Sequence, residues 1–210
     1  MPGLSELFYT GITGRGIVIG NPDLVSETSA NFDTGLKIGQ KDLFIGLYAF
    51  HYTIDDLIER YTLSKGIYTY GNIIKGKLKG TEIEIEYYPA SSIKLFANGF
   101  LYSGKSINST DYLNDVPPPR LYAGSRIWKN NVWLEVSTIM QKSHTHPGPA
   151  EIAIPGFTII NLEAGYEILP SLNVHLLAAN LFNKEYLSRA DPEAPPDPGR
   201  SISISLHYRW

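Results

Sequence analysis

Ser201-Ile202-Ser203-Ile204-Ser205-Leu206-His207-Tyr208-Arg209-Trp210 ends the sequence on an alternation without a fault. Ile202, Ile204, Leu206, Tyr208 and Trp210 hold one phase, and Ser201, Ser203, Ser205, His207 and Arg209 hold the other. Successive side chains of a strand point to opposite faces, so period two predicts a strand with one apolar and one polar face. The pattern recurs upstream. Ile160, Leu162, Ala164, Tyr166 and Ile168 alternate with Asn161, Glu163, Gly165 and Glu167, and Val174, Leu176 and Ala178 alternate with Asn173 and His175. Ile83, Ile85 and Tyr87 face away from Glu82, Glu84 and Glu86, and Ala30 to Ile38 repeats the arrangement with Asn31, Asp33 and Lys37. Val132 to Met140 is similar but carries Trp133 and Ile139 on its polar phase, while Leu43 to Ile54 and Ile93 to Tyr102 are apolar on both phases.

About nine strands follow, near 27–38, 41–54, 67–87, 91–103, 118–128, 132–142, 156–168, 172–182 and 200–210, with no helix. Tight turns are expected at Gly39 to Gln40, Pro89 to Ala90, Lys129 to Asn131 and Leu169 to Ser171, and long connections at 55–66, 104–117, 143–155 and 183–199. Turns that alternate short and long describe an up-and-down antiparallel meander with two unlike ends, as in outer-membrane barrels. A Greek-key sandwich has no reason to keep that parity.

The 210 residues are 43% hydrophobic and 19% charged, enough apolar matter to fold. A net charge of −3 encodes no general attraction to nucleic acid, and the lack of Cys removes disulfides, thiol catalysis and cysteine zinc sites. No apolar run is long enough for a transmembrane helix, and Met1 to Gly20 does not read as a signal peptide. Tyr, at 14, far exceeds Phe, at 8, which calls for half-wet positions. Tyr87, Tyr88, Trp128, Trp133 and Trp210 fall beside the short turns or the chain end. Tyr52, Tyr102, Tyr122, Phe157, Phe182 and Tyr186 fall beside the long connections. Two aromatic belts enclosing Ile, Leu, Val and Ala suit a bilayer.

Four stretches carry a family resemblance. They are Gly20-Asn21-Pro22-Asp23-Leu24 with Glu27 and Ser29; Ile54-Asp55-Asp56-Leu57-Ile58 with Tyr70, Asn72, Gly80, Glu82 and Glu84; Asn180-Leu181-Phe182-Asn183-Lys184-Glu185-Tyr186; and Pro198-Gly199-Arg200 with Tyr208 and Trp210. In this order and spacing they resemble the carboxy-terminal barrel of TonB-dependent outer-membrane receptors, and Pro2 to Phe8 resembles the stretch after the thirteenth strand. The resemblance implies an all-β, antiparallel up-and-down transmembrane β-barrel, of which this chain supplies about nine carboxy-terminal strands out of 22. Residues 1–26 are then an extracellular segment leading into the barrel and 27–210 the strands, with signal peptide and plug outside the sequence. The implied role is active uptake of a scarce ligand such as a ferric siderophore, haem or cobalamin, across the outer membrane of a Gram-negative bacterium. Implied partners are outer-membrane lipid, the TonB energy-coupling complex through the absent amino-terminal part, the barrel-assembly machinery and a metal chelate; no cofactor, metal, catalytic residue or nucleic acid is expected. Two other readings are a self-contained small barrel of eight to ten strands, porin-like or hydrolytic, and a soluble β-sandwich lectin.

Candidate residues are few. Glu163, Glu167, His175 and His207 share the polar phase of the last three strands. If Ile168 pairs with Leu172, Gly165 opposes His175 and the two glutamates lie on its diagonals. Such a cluster could catalyse, bind metal or touch a plug, but polar lining is the simpler reading. His144 and His146 lie in a long connection as weak ligand candidates without a third metal ligand. Ile204, Leu206, Tyr208 and Trp210 form the expected assembly signal. Gly14-Arg15-Gly16 lacks the third glycine of a dinucleotide loop, and Asn108-Ser109-Thr110 is a chance sequon.

Overall fold

Strands rich in β-branched and aromatic residues pair with their sequence neighbours and build one antiparallel meander. The computed structural model describes every residue except Arg15, Asn108 and the side chain of Ile74, so the middle of the Gly14-Arg15-Gly16 triplet and the asparagine of the sequon lie outside the described residues. After a five-residue helix α1 (Leu4–Phe8) come two short strands, β1 (Thr10–Thr13) and β2 (Gly16–Ile19). The meander follows: β3 (Thr28–Gln40), β4 (Leu43–Ser64), β5 (Ile67–Ala90), β6 (Ile93–Ser106), β7 (Arg120–Lys129), β8 (Val132–Gln141), β9 (Phe157–Leu169), β10 (Leu172–Ala179) and β11 (Ser201–Tyr208). Each strand from β3 to β11 is antiparallel to the next.

The register sorts side chains into two faces. Across the ladder, Ile38, Ile45, Ile85, Ala97, Ala123, Thr138 and Ile160 form one row. Gly35, Tyr48, Glu82, Phe100, Arg120, Gln141 and Phe157 form a row of the opposite parity. The first face is apolar and open: Val136 is 44% exposed and Leu206 68%. The second carries the charges, paired across strands: Arg126 Nε reaches Glu135 Oε2 at 2.7 Å, and Lys94 Nζ reaches Glu86 Oε1 at 2.6 Å. No side chain in the described residues is sealed below 2% exposure. A sheet whose apolar face has no protein cover needs a solvent other than water on that side.

The four short turns sit at Lys41-Asp42, Ser91-Ser92, Asn130-Asn131 and Pro170-Ser171; the first two lie two residues later than expected and the last two within the expected ranges. Asn130 takes the left-handed φ of 53° that Asn tolerates in a tight hairpin. Each turn is stitched to the next hairpin, because Tyr88, Trp128, Glu167 and Arg209 donate their N–H groups to the carbonyls of Asp42, Ser92, Asn131 and Ser171.

Three expectations are corrected. The 55–66 connection is not a loop: β4 continues to Ser64 and turns at Lys65-Gly66 into β5, giving a hairpin of 22- and 24-residue strands. At about 3.3 Å per residue and a tilt near 40°, roughly ten residues cross a bilayer core of about 25 Å, so this hairpin projects far beyond it. Second, a helical turn exists, and the strand suspected near Phe8 to Ile19 is a hairpin that pairs with neither β3 nor β11. It therefore adds no tenth strand to the meander. Third, the belt is not uniformly apolar-facing. Trp128, Tyr102 and Tyr122 lie on the charged face, as does Trp133, which the alternation had already put on the polar phase; Trp133 stacks under Arg126 at 4.2 Å and Tyr102 donates to Glu82. Position beside a turn does not fix which face a ring takes; parity does.

Candidate functional site

The projecting β4–β5 hairpin is the scaffold for everything at the long-connection end. β6 meets β5 only from Gly76 onward, leaving the β5 edge above it open. β2 occupies that edge in parallel register, through Ile17 to Ile67, Val18 to Tyr68 and Ile19 to Thr69. Gly16, at φ +103°, lies so close to the Gly66 carbonyl that a Cβ would meet it at 2.6 Å, so the approach requires glycine. Val18, Tyr68 and Ala150 are buried together, with Tyr70 against them.

The motif residues turn out to be clasps. Asn72 accepts Val25 N–H at 3.0 Å and donates to the carbonyls of Val25 at 3.1 Å and Asp56 at 2.5 Å. Asn21 donates to the Tyr70 carbonyl at 2.9 Å, and the Glu27 carboxylate accepts Ile58 N–H at 2.9 Å. Together they fasten residues 20–27 to the hairpin. A second clasp closes the 183–199 connection. Asn180, 3% exposed, accepts Lys184 N–H at 2.8 Å and donates to the carbonyls of Lys184 at 2.8 Å and Pro198 at 3.3 Å, while Asn183 accepts Arg200 N–H at 2.8 Å. Both asparagines are left-handed, which short polar side chains allow.

Between these clasps lies a cavity of about 980 Å³. Its walls include Glu6 and Tyr9 from the start of the chain, Glu59, Arg60 and Tyr70 from the hairpin, Asn114 and Asp115 from the 107–119 connection, and Arg189 and Asp191 from the last connection. Glu59 and Arg60 are 7% and 8% exposed. The Arg60 guanidinium lies over the Tyr68 ring at 4.9 Å and donates to the Ala150 carbonyl at 3.4 Å. Burial, with Asp115 and Glu151 nearby, pushes the Glu59 carboxyl up to about 7, against the lowering effect of the Asn114 donors. Glu59 stands well above the membrane-crossing part of β4.

The residues singled out by sequence lie elsewhere. His144 is buried, 3.3 Å from Glu151 Oε2, and His146 stacks on Tyr112 at 4.6 Å; both line a smaller cavity of about 230 Å³. Gly165 opposes His175, with Glu167 opposite Asn173 and Glu163 opposite Leu177; the ladder starts at Leu169 rather than Ile168 and is set right by a bulge. His175 and His207 rings are 5.0 Å apart, with Trp133 at 5.6 Å from His175. Among the described residues no group of three or more potential ligands could hold a metal. Ile204, Leu206 and Tyr208 lie on the open apolar face of β11, and Trp210 beyond it is fully exposed. Glu59, Arg60, Asn114 and Arg189 escaped the sequence reading. Their only signal was the Glu59-Arg60 pair, which interrupts an apolar run read as loop.

A family profile described as TonB dependent receptor-like, beta-barrel, matches residues 1–183. The Ferrienterobactin receptor of Escherichia coli (strain K12) is 23% identical over 90% of this chain and 30% of that protein. The Vitamin B12 transporter BtuB of Vibrio vulnificus (strain YJ016) is 24% identical over 91% and 31%. Among solved structures, the Copper transporter OprC superposes with a TM-score of 0.83 at 15% identity, covering 90% of this chain and 32% of that one. The chain thus spans about a third of the length of the proteins it matches.

Proposed function

The chain belongs to the TonB dependent receptor-like β-barrel family, and from that premise we propose that it forms the carboxy-terminal wall and part of the outer cap of an active uptake receptor. It is an outer-membrane barrel protein of the Gram-negative type. The meander crosses the bilayer, the connections at the long end face outward, and residues 1–26 belong to that outward cap. The cavity among Tyr9, Glu59, Arg60, Asn114 and Arg189 contributes to ligand capture. Remaining strands pair with the edges of β3 and β11, and a plug, coupled to the TonB complex, gates the lumen. The relatives are transport receptors; this protein too works by transport and not catalysis. The observation that carries the reading is the cavity itself: one large space at the projecting end, walled by four separate segments of the chain.

The ligand class is a metal chelate or cobalamin-like molecule. Full-length receptor in a strain lacking its own uptake receptors should accumulate ferric enterobactin, cyanocobalamin or Cu(II), and only while TonB is energised. Combining Tyr9→Ala with Arg189→Ala should lower that accumulation by about tenfold, the loss of two contacts at a binding site. Entry of all three probes without energy coupling would replace the receptor with a passive porin, and uptake indifferent to the double variant would remove the cavity from the reading.

A further inference from the structure

Asn114 sits on the 107–119 connection, yet its hydrogen bonds leave that connection in two directions. Its N–H lies 3.3 and 3.4 Å from the two Glu59 carboxylate oxygens, and its Nδ2 donates to the same carboxylate and to the Arg60 carbonyl at 2.9 Å. Its Oδ1 accepts Ala150 N–H at 3.0 Å, from the connection between β8 and β9. Gly148 packs so closely on Asn114 that a Cβ there would fall 2.5 Å from Oδ1. A parallel hook lies alongside: Glu151 accepts the N–H groups of Asp115 at 2.8 Å and Gly148 at 2.9 Å.

Glu59 has no cationic partner within ion-pair distance among the described residues, because Arg60 is turned to Tyr68 and Ala150. Facing it are Asp115 and Glu151 from the two connections and Tyr61 from its own strand; Glu6, Arg189 and Asp191 line the same cavity. Among the described residues, then, the carboxyl is held by the amide donors of Asn114. We propose that Asn114 is a positioning residue that holds β4, the 107–119 connection and the 142–156 connection as one wall of the cavity, with the Glu59 carboxyl as its anchor. This rests on the reading of the cavity as the ligand site.

The wall has a pH dependence of definite sign. Burial raises the Glu59 carboxyl to about 7 in the closed wall, whereas a loosened wall returns it toward its ordinary value of 4.5. The closed wall binds the extra proton, so closure is favoured below that ordinary value and the preference is lost as pH rises through about 7.

The test uses full-length receptor in lipid, without ligand, spin-labelled at Thr110→Cys and Thr145→Cys, two exposed positions in this Cys-free sequence, with any cysteine elsewhere in the receptor replaced by Ser. Pulsed EPR distances are recorded at about pH 5.5 and about pH 8.5, either side of the titration. The parent should give a narrow distribution in acid and one about twofold broader in base. Glu59→Gln should stay narrow at both. Asn114→Asp, which sets two carboxylates together, should be broad in base and recover in acid, and combining it with Glu59→Gln should restore the narrow distribution by exchanging amide and carboxylate. An unchanged distribution in Asn114→Asp, or a pH response that survives Glu59→Gln, overturns the proposal. Normal uptake by an Asn114→Asp receptor whose wall has loosened would leave the latch standing and remove the cavity as the ligand site.

Discussion

The sheet from β6 to β11 and the cap around the β4–β5 hairpin solve the same problem by opposite means. In the sheet, Ile127, Leu134, Val136 and Leu206 are left open on one face, and the ladder pairs the backbone of each strand with its neighbours. Most of the burial there, at Glu135, Ser137, Gln141, Phe157 and Ile159, lies on the other face. In the cap, Val18, Tyr68 and Ala150 are buried to 5% or less, and Glu59 and Asn180 are buried too, each held by amide groups. One region depends on lipid as its solvent, and the other brings its own interior into water. Apolar content does not distinguish them; the surroundings of each buried or exposed group do.

That contrast can be broken most forcefully in the sheet. Val136→Arg, near the middle of β8 on the open face, should cost about 2–4 kcal/mol in reversible folding of the full-length barrel into vesicles. Glu163→Gln, on the opposite face, should stay within about 0.5 kcal/mol. Equal costs on the two faces would abolish the division by parity. At the chain end, Trp210→Asp should lower the amount of receptor inserted by about tenfold while the melting of what does insert changes little, if the end of β11 is read by the assembly machinery through edge pairing. Equal insertion with weaker melting would reduce Trp210 to an interfacial anchor. The smallest effect is expected in the cap: Asn180→Ala removes the clasp on the last connection and leaves paired groups unmet, about 1–3 kcal/mol locally. It should appear as faster proteolysis within 183–199, with the strands untouched.

How much of this was legible follows from the same contrast. Strict alternation in β9, β10 and β11 reported a two-solvent environment, so strand order, facing and the short-long parity of turns could be read from residue type alone. The register placing Gly165 against His175 came from the same parity. β4 beyond Ile54 was not legible, because Glu59 and Arg60 are neighbours that are both buried, one held by Asn114 and the other over Tyr68. Alternation fails where both faces of a strand are covered. The cavity was illegible for a second reason: it joins residues as distant as Tyr9 and Arg189, and nothing local marks either. Asn21, Asn72 and Asn180 were noticed as family motifs, but their work as clasps needed backbone partners that no sequence pattern names.

The hairpin's overhang has an evolutionary consequence. Strands such as β7 and β8, ten residues each, are measured against the membrane and cannot change length without mismatch. The tip at Lys65-Gly66 answers to no such ruler. Lineages could lengthen or shorten it in matched pairs of residues, one on each arm, leaving every facing below it as it was. Single-residue changes in β4 between the membrane and Glu59 would be purged, since they would turn Glu59 out of the cap, whereas the bulge between Thr62 and Ser64 shows that the tip itself absorbs one. Size variation among descendants of this chain should therefore gather at that tip.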